Sequence, residues 1–127
     1  RLVRTLCKNC KEEYHPTREE YDQLVHEYGS EELFNKNIGI AYSDELRLMK
    51  PSGCSKCNDT GYAGRTGLHE VLEGTSEIKR MVMKQALMEE IREQALNDGM
   101  TTLKQDGIWK VFKGDCDLKQ VMSVCIV

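Results

Sequence analysis

Four cysteines in two matched pairs carry the chemistry this sequence offers. Cys7 and Cys10 stand in CKNC, Cys54 and Cys57 stand in CSKC, and 43 residues separate the pairs. Two residues between cysteines let both thiolates face one ion while the intervening backbone turns around it. Two such knuckles supply four sulfurs, the closed tetrahedral set of a structural zinc site. A catalytic zinc would keep one position open for water, so the expected site is inert. The gap is longer than in a minimal zinc ribbon, but loop-closure cost grows only logarithmically with length. Structural zinc contributes apparent binding energies on the order of 10–16 kcal/mol. That offsets the ordering of a lobe with a thin core. The ligands must be thiolates, so the stabilisation is present at neutral pH and is lost when acid protonates the sulfurs.

Other readings of the four sulfurs remain open at this point. Iron takes the same ligand set and would colour the protein red, as in a rubredoxin-like carrier. A thioredoxin-like dithiol uses one C-x2-C at a helix start in a βαβ setting, whereas the first pair here follows the apolar segment LVRTL. Four free thiols would be a chance arrangement. A free-standing zinc ribbon that binds nucleic acid is the competing function, and its affinity would fall steeply with salt.

The remaining reactive side chains read as bland. Cys125 lies on the apolar face of a predicted helix, and Cys116 reads as a small residue in a turn. His15 sits beside a proline, His26 on the polar flank of a helix, and His69 in a strand-like run. No Ser/His/Asp set, paired carboxylates or HExxH motif emerges. GxxxxGK[ST], the phosphate loop, is missing, since GYAGRTG lacks the lysine and the strand–loop–helix context. Arg65 within it reads as part of a turn.

Composition narrows the class. The chain has 127 residues, about one ordinary domain, with 39% hydrophobic and 31% charged residues. Net charge is −3, from 18 basic and 21 acidic residues. A nucleic-acid-binding domain usually needs basic excess, and Arg1, Arg4 and Lys8 make only a small local cluster. No apolar run approaches a membrane span. RLVRTLC has no apolar stretch behind it and is not a signal peptide. The absence of an initial methionine suggests a fragment of a longer chain. Without a secretion signal the expected compartment is reducing, where paired cysteines point to metal or redox chemistry.

The elements that must position the cysteines follow from periodicity and caps. A helix is predicted within 14–29: Thr17 and Glu20 form a capping box, Tyr21, Leu24, Val25 and Tyr28 make one apolar stripe, and Gly29 ends it. Ser30 caps a short second helix through Phe34. ELRLMKP reads as a short strand, TGYAGRTG as a loop because of its glycines, and GLHEVLE as a strand. Four helical segments follow, at about 76–84, 87–98, 102–113 and 118–125. The second turns Leu87, Met88, Ile91 and Ala95 inward. The third carries Leu103, Ile108, Val111 and Phe112. The last follows Asp117, an N-cap, and aligns Leu118, Val121, Met122 and Cys125. The expected class is α+β, mainly helical. Residues 1–62 form a cysteine lobe with little core of its own, and residues 63–127 form a helical lobe.

At three separated blocks the likeness becomes specific. RLVRTLCKNCK, GCSKCNDTGYAGRTGLHEVLE and GMTTLKQDGIWKVFKGDCDLKQVMSV together resemble the C-terminal part of the bacterial ATPases of type II secretion and type IV pilus assembly. The resemblance covers essentially the whole chain. It implies the C-terminal subdomains of a RecA-type NTPase domain, with Cys7, Cys10, Cys54 and Cys57 as ligands of one structural zinc. It implies a hexameric, cytoplasmic motor at the bacterial inner membrane, whose partners are neighbouring ATPase subunits and membrane platform proteins, with no nucleic acid. The family's phosphate loop and acidic motifs, and with them ATP and Mg, belong to a part not present here. So neither catalytic nor nucleotide-binding residues are assigned. Arg1 and Arg4 match basic positions ahead of the first knuckle. The family often has proline after the first cysteine, where this chain has Lys8.

Overall fold

The computed structural model describes residues 1–125. Among them the chain is α+β. In order it forms β1 (Leu2–Leu6), β2 (Glu12–Tyr14), α1 (Arg18–Tyr28), α2 (Glu31–Asn37), β3 (Leu48–Lys50), β4 (Tyr62–Gly67), α3 (Ser76–Met83), α4 (Met88–Asn97), α5 (Leu103–Lys113) and α6 (Leu118–Val124). Contacts cut the chain elsewhere than the expected lobes 1–62 and 63–127. One compact unit joins Arg1–Leu68 to the C-terminal segment from Leu103, and the other is His69–Thr102.

In the first unit the strands form two antiparallel ribbons. β1 pairs with β4, Leu2 facing Gly67, Val3 facing Thr66 and Arg4 facing Arg65, with an irregularity before Leu6 meets Tyr62. β2 pairs with β3, Glu12 facing Lys50 and Tyr14 facing Leu48. The first cysteine knuckle therefore links β1 to β2, and the second links β3 to β4. β1 and β4 lie outside the long gap and β2 and β3 at its two ends, so each ribbon joins a strand beside the first knuckle to one beside the second and brings the distant pairs together.

The helices between β2 and β3 form because their ends are satisfied locally. Thr17 accepts from the Glu20 amide at 3.1 Å, and Glu20 reciprocates at the Thr17 amide at 3.1 Å. Ser30 caps α2 through the Leu33 amide at 3.1 Å. Phe34 is fully buried. The rings of Tyr21 and Tyr28 stand nearly perpendicular to it at 5.8 and 5.7 Å, and Phe112 of α5 lies at 5.4 Å. Full burial of such a ring contributes roughly 1.5–3 kcal/mol. Polar contacts fix α5 on α1: buried Gln105 donates to the Tyr28 carbonyl at 2.8 Å, and Lys104 pairs with Glu27 at 2.9 Å. α6 then crosses α5 at Gly107, where a Cβ would stand 2.6 Å from Val121. So the cysteine-bearing segment does not have a thin core; its core is completed by the last two helices.

The second unit is a helical hairpin. Thr75 caps α3 through the Ile78 amide at 3.2 Å and also donates to Asp98 at 3.1 Å. Ile78 and Ala95 are its buried apolar residues.

Several local expectations are corrected. A strand, β4, occupies the last six residues of TGYAGRTG, because pairing with β1 supplies what glycine content opposes. The strand expected over GLHEVLE is instead irregular after Gly67. Leu87 and Met88, expected inward, are 68% and 84% exposed. Cys116 lies in the α5–α6 turn, as expected, and that turn folds it against the core, where it is fully buried. Met122, expected inward, is 38% exposed.

Candidate metal centre

All four sulfurs singled out from the sequence meet at one point. The Sγ atoms of Cys7, Cys10, Cys54 and Cys57 lie within 4.8 Å of one another. Cys7 and Cys54 are 3.8 Å apart, Cys10 and Cys57 3.8 Å, and Cys54 and Cys57 3.7 Å. A disulfide needs about 2.05 Å, and all four are free thiols. A tetrahedral ion with metal–sulfur bonds of about 2.3 Å sets its sulfurs about 3.8 Å apart. The quoted separations match that edge length, so the residues fit a four-coordinate metal. Cys7 and Cys57 are buried, while Cys10 and Cys54 are partly exposed.

Each knuckle turns on its own first carbonyl. The Cys7 carbonyl accepts from the amides of Cys10 at 3.3 Å and Lys11 at 2.9 Å. The Cys54 carbonyl accepts from Cys57 at 3.3 Å and Asp59 at 2.8 Å. Lys11 then ties the first knuckle to the C-terminal helices by donating to the Gly114 carbonyl at 2.9 Å. The knuckles are joined directly as well, the Cys7 amide donating to the Gly61 carbonyl at 2.9 Å.

Backbone amides aim at the sulfurs. Gly53 donates to Cys10 at 3.3 Å, Cys54 to Cys57 at 3.3 Å, and Gly61 to Cys57 at 3.2 Å. Burial opposes ionisation of Cys57 more than any other single influence. Even so, the amides of Gly61 and Cys54 and the thiols of Cys54 and Cys10 together bring it down to about 6. At Cys10 the Gly53 amide favours the thiolate, but burial and the sulfurs of Cys7, Cys54 and Cys57 push it up to about 11. The set accepts one negative charge readily and resists the next, as coupled sites do. A bound dication is what allows all four to ionise.

Sequence reasoning did not pick out Gly53, Gly61 and Lys11. The signal was present in the two glycines that flank the second pair. Gly61 has φ +84°, and a Cβ there would stand 2.6 Å from the Cβ of Pro51. Only glycine brings its amide this close to Cys57.

The other candidates lie elsewhere. Among the described residues no histidine joins the cluster. His15 bonds through Nε2 with the Ser43 carbonyl at 2.9 Å. Burial, with the carboxylates of Asp117 and Asp115, pushes the Cys116 thiol up to about 12 and keeps it un-ionised. Arg1 donates to the Val124 carbonyl at 3.0 Å, and Arg4 lies over the Tyr62 ring at 5.4 Å. Arg65 sits across the ribbon from Arg4.

The family described as "Type II/IV secretion system protein" matches residues 1–123. The chain belongs to that family. It is 36% identical to the type IV pilus assembly ATPase PilB of Pseudomonas aeruginosa over 98% of this chain and 20% of the relative. It is 34% identical to the type IV pilus assembly ATPase PilB of Thermus thermophilus over 97% of this chain and 12% of the relative. Against the type II secretion system ATPase E of Vibrio cholerae it is 34% identical over 98% of this chain and 22% of the relative. This secretion-family chain thus spans about a fifth or less of the length of most of these relatives. Among its described residues no helix is long and apolar enough to cross a membrane.

Proposed function

We propose that this chain is the structural zinc-binding C-terminal module of a hexameric secretion or pilus-assembly ATPase. The observation that carries the reading is the four-sulfur cluster at tetrahedral spacing, in a chain that aligns almost end to end with part of such ATPases. Zinc bound there supplies charge neutralisation for four thiolates and a rigid four-way link. Cys7, Cys10, Cys54 and Cys57 are its ligands. The amides of Gly53, Cys54 and Gly61 favour the thiolates of Cys10 and Cys57, and the bound dication completes the ionisation of the set. The module performs no catalysis itself. ATP and Mg are handled by the RecA-type NTPase region of the parent protein. The parent works in the cytoplasm at the bacterial inner membrane. There this module supports packing of neighbouring subunits and passes the motion of hydrolysis to membrane platform proteins, driving protein transport or pilus extension.

Elemental analysis of the purified chain tests the metal directly. One zinc per chain is expected, and its removal by a strong chelator should abolish the near-ultraviolet circular dichroism. One equivalent of iron and a red colour would replace zinc in the reading. A metal-free chain with four reactive thiols and an intact fold would sink it.

A further inference from the structure

The four sulfurs are not equivalent, and two differences between them single out one pair. The first is exposure. Cys10 and Cys54 are partly exposed, whereas Cys7 and Cys57 are buried. An oxidant in solution therefore meets the cluster at Cys10 or Cys54. Lys8 and Lys56 stand inside the two knuckles, both exposed, and neither forms an ion pair among the described residues. Positive charge near a thiol favours the thiolate, the form that oxidants attack.

The second difference is backbone support. Gly53 donates to Cys10 at 3.3 Å, and Cys54 and Gly61 donate to Cys57 at 3.3 and 3.2 Å. Among the described residues no backbone amide donates to the Cys7 sulfur. Amide hydrogen bonds stabilise a thiolate and so weaken it as a nucleophile. The sulfur in contact with Cys10 is that of Cys57, at 3.8 Å, and two amides hold it. Cys54 has Cys57 at 3.7 Å and also Cys7 at 3.8 Å. Cys54 and Cys7 are thus the one contact between an exposed sulfur and a sulfur that no amide restrains. The Cys7 amide, bonded to the Gly61 carbonyl at 2.9 Å, keeps the two knuckles side by side at this point.

We infer that Cys54 is an oxidation site for small hydroperoxides, and that Cys7 resolves it as a disulfide across the knuckles, with loss of the metal. The inference rests on the proposed reading of the cluster as a zinc site. The Cys54 thiolate attacks one oxygen of the hydroperoxide. An S–O bond forms, the O–O bond breaks, and the other oxygen takes a proton and leaves as water or an alcohol. The Cys7 sulfur then attacks the Cys54 sulfur. An S–S bond forms, the S–O bond breaks, and hydroxide leaves to become water. Two electrons pass from the sulfur pair to the peroxide. The sulfurs need close only from 3.8 Å to about 2.05 Å. Cys10 and Cys57 remain, half of a set that holds zinc with four ligands. The new bond spans the same gap between the knuckles, so they stay joined.

One equivalent of hydrogen peroxide, added to the zinc-loaded chain, tests the pairing. Alkylation at intervals and mass-spectrometric mapping follow the thiols, while a chromogenic chelator reads free zinc. The first disulfide should be Cys7–Cys54, with Cys10 and Cys57 still open to alkylation and zinc appearing in step. Cys54→His keeps a metal-binding side chain and removes the attacked sulfur, so peroxide should release its zinc at least about tenfold more slowly. If that variant does not load zinc, the order of disulfides in the unaltered chain decides alone. A first disulfide between Cys54 and Cys57, or one containing Cys10, overturns the inference. So does retention of zinc and all four thiols under excess peroxide. A reduced chain that holds no metal as purified sinks the proposed function and this inference together. A zinc-loaded chain whose first disulfide lies elsewhere sinks this inference alone.

Discussion

The unit built from 1–68 with the C-terminal helices and the hairpin 69–102 are held by different kinds of contact. In the first, the decisive links join residues far apart in sequence: β1 with β4, Lys104 with Glu27, Arg1 with Val124, and sulfur with sulfur across the long gap. In the second, the polar links run between Thr75, Gln94 and Asp98, close to the helix ends. Its apolar side chains Val82, Met83, Leu87 and Met88 are 56–84% exposed. Long-range closure needs a device that fixes distant segments, and the cysteine cluster is placed to be that device. The hairpin needs only caps and a small internal contact. Its large apolar residues are left mostly uncovered in this chain.

The contrast can be broken most forcefully at the sulfurs. Cys57→Ala should abolish metal binding and unfold the first unit at 25 °C. The expected loss, on the order of 10 kcal/mol, matches or exceeds the whole stability of an ordinary domain. Near-ultraviolet circular dichroism and metal content report it together. Acid should do the same to the unaltered protein. The Cys57 thiol is depressed to about 6 from 9.0. Its contribution is therefore complete above about 9 and is lost as pH falls through 6. Bound metal deepens that depression, so metal release during an acid titration should have its midpoint below pH 6. A midpoint at neutral pH would contradict the amide arrangement around Cys57.

Smaller effects sharpen the comparison. Phe34→Ala should cost about 3–5 kcal/mol in denaturant unfolding, because it empties the aromatic centre between α1, α2 and α5. Gly61→Ala combines a left-handed φ with the Pro51 contact and should cost about 1–3 kcal/mol, while accelerating metal loss to a chelator. In the hairpin, Met83→Ser should change the stability of this chain by no more than about 0.5 kcal/mol, since the side chain is 84% exposed. A cost above 2 kcal/mol there would show that the hairpin has a core of its own.

How much was legible in the sequence follows from how local each signal is. The capping box of Thr17 and Glu20, the Ser30 and Asp117 caps and the spacing of the four cysteines are decided within a few residues, and the structure contains each. β4 was not legible, because the three glycines of TGYAGRTG argue for a loop and only pairing with β1 makes its last six residues a strand. The turn that carries Cys116 was legible, but its burial was not, because only tertiary folding covers it. Leu87 and Met88 show the converse. Periodicity marks an apolar face but does not say whether anything in the same chain covers it. The amides of Gly53 and Gly61 were half legible. Their glycines stand beside the cysteines, but their aim at sulfur depends on Pro51 and on the knuckle geometry.

Leu68, where the first unit breaks off, lies against Gly107 in α5, just after the chain returns at Leu103. Departure and re-entry points are thus neighbours, the arrangement seen where one piece of polypeptide is spliced into a host surface. The stretch between them, residues 69–102, therefore leaves and rejoins the first unit at one place.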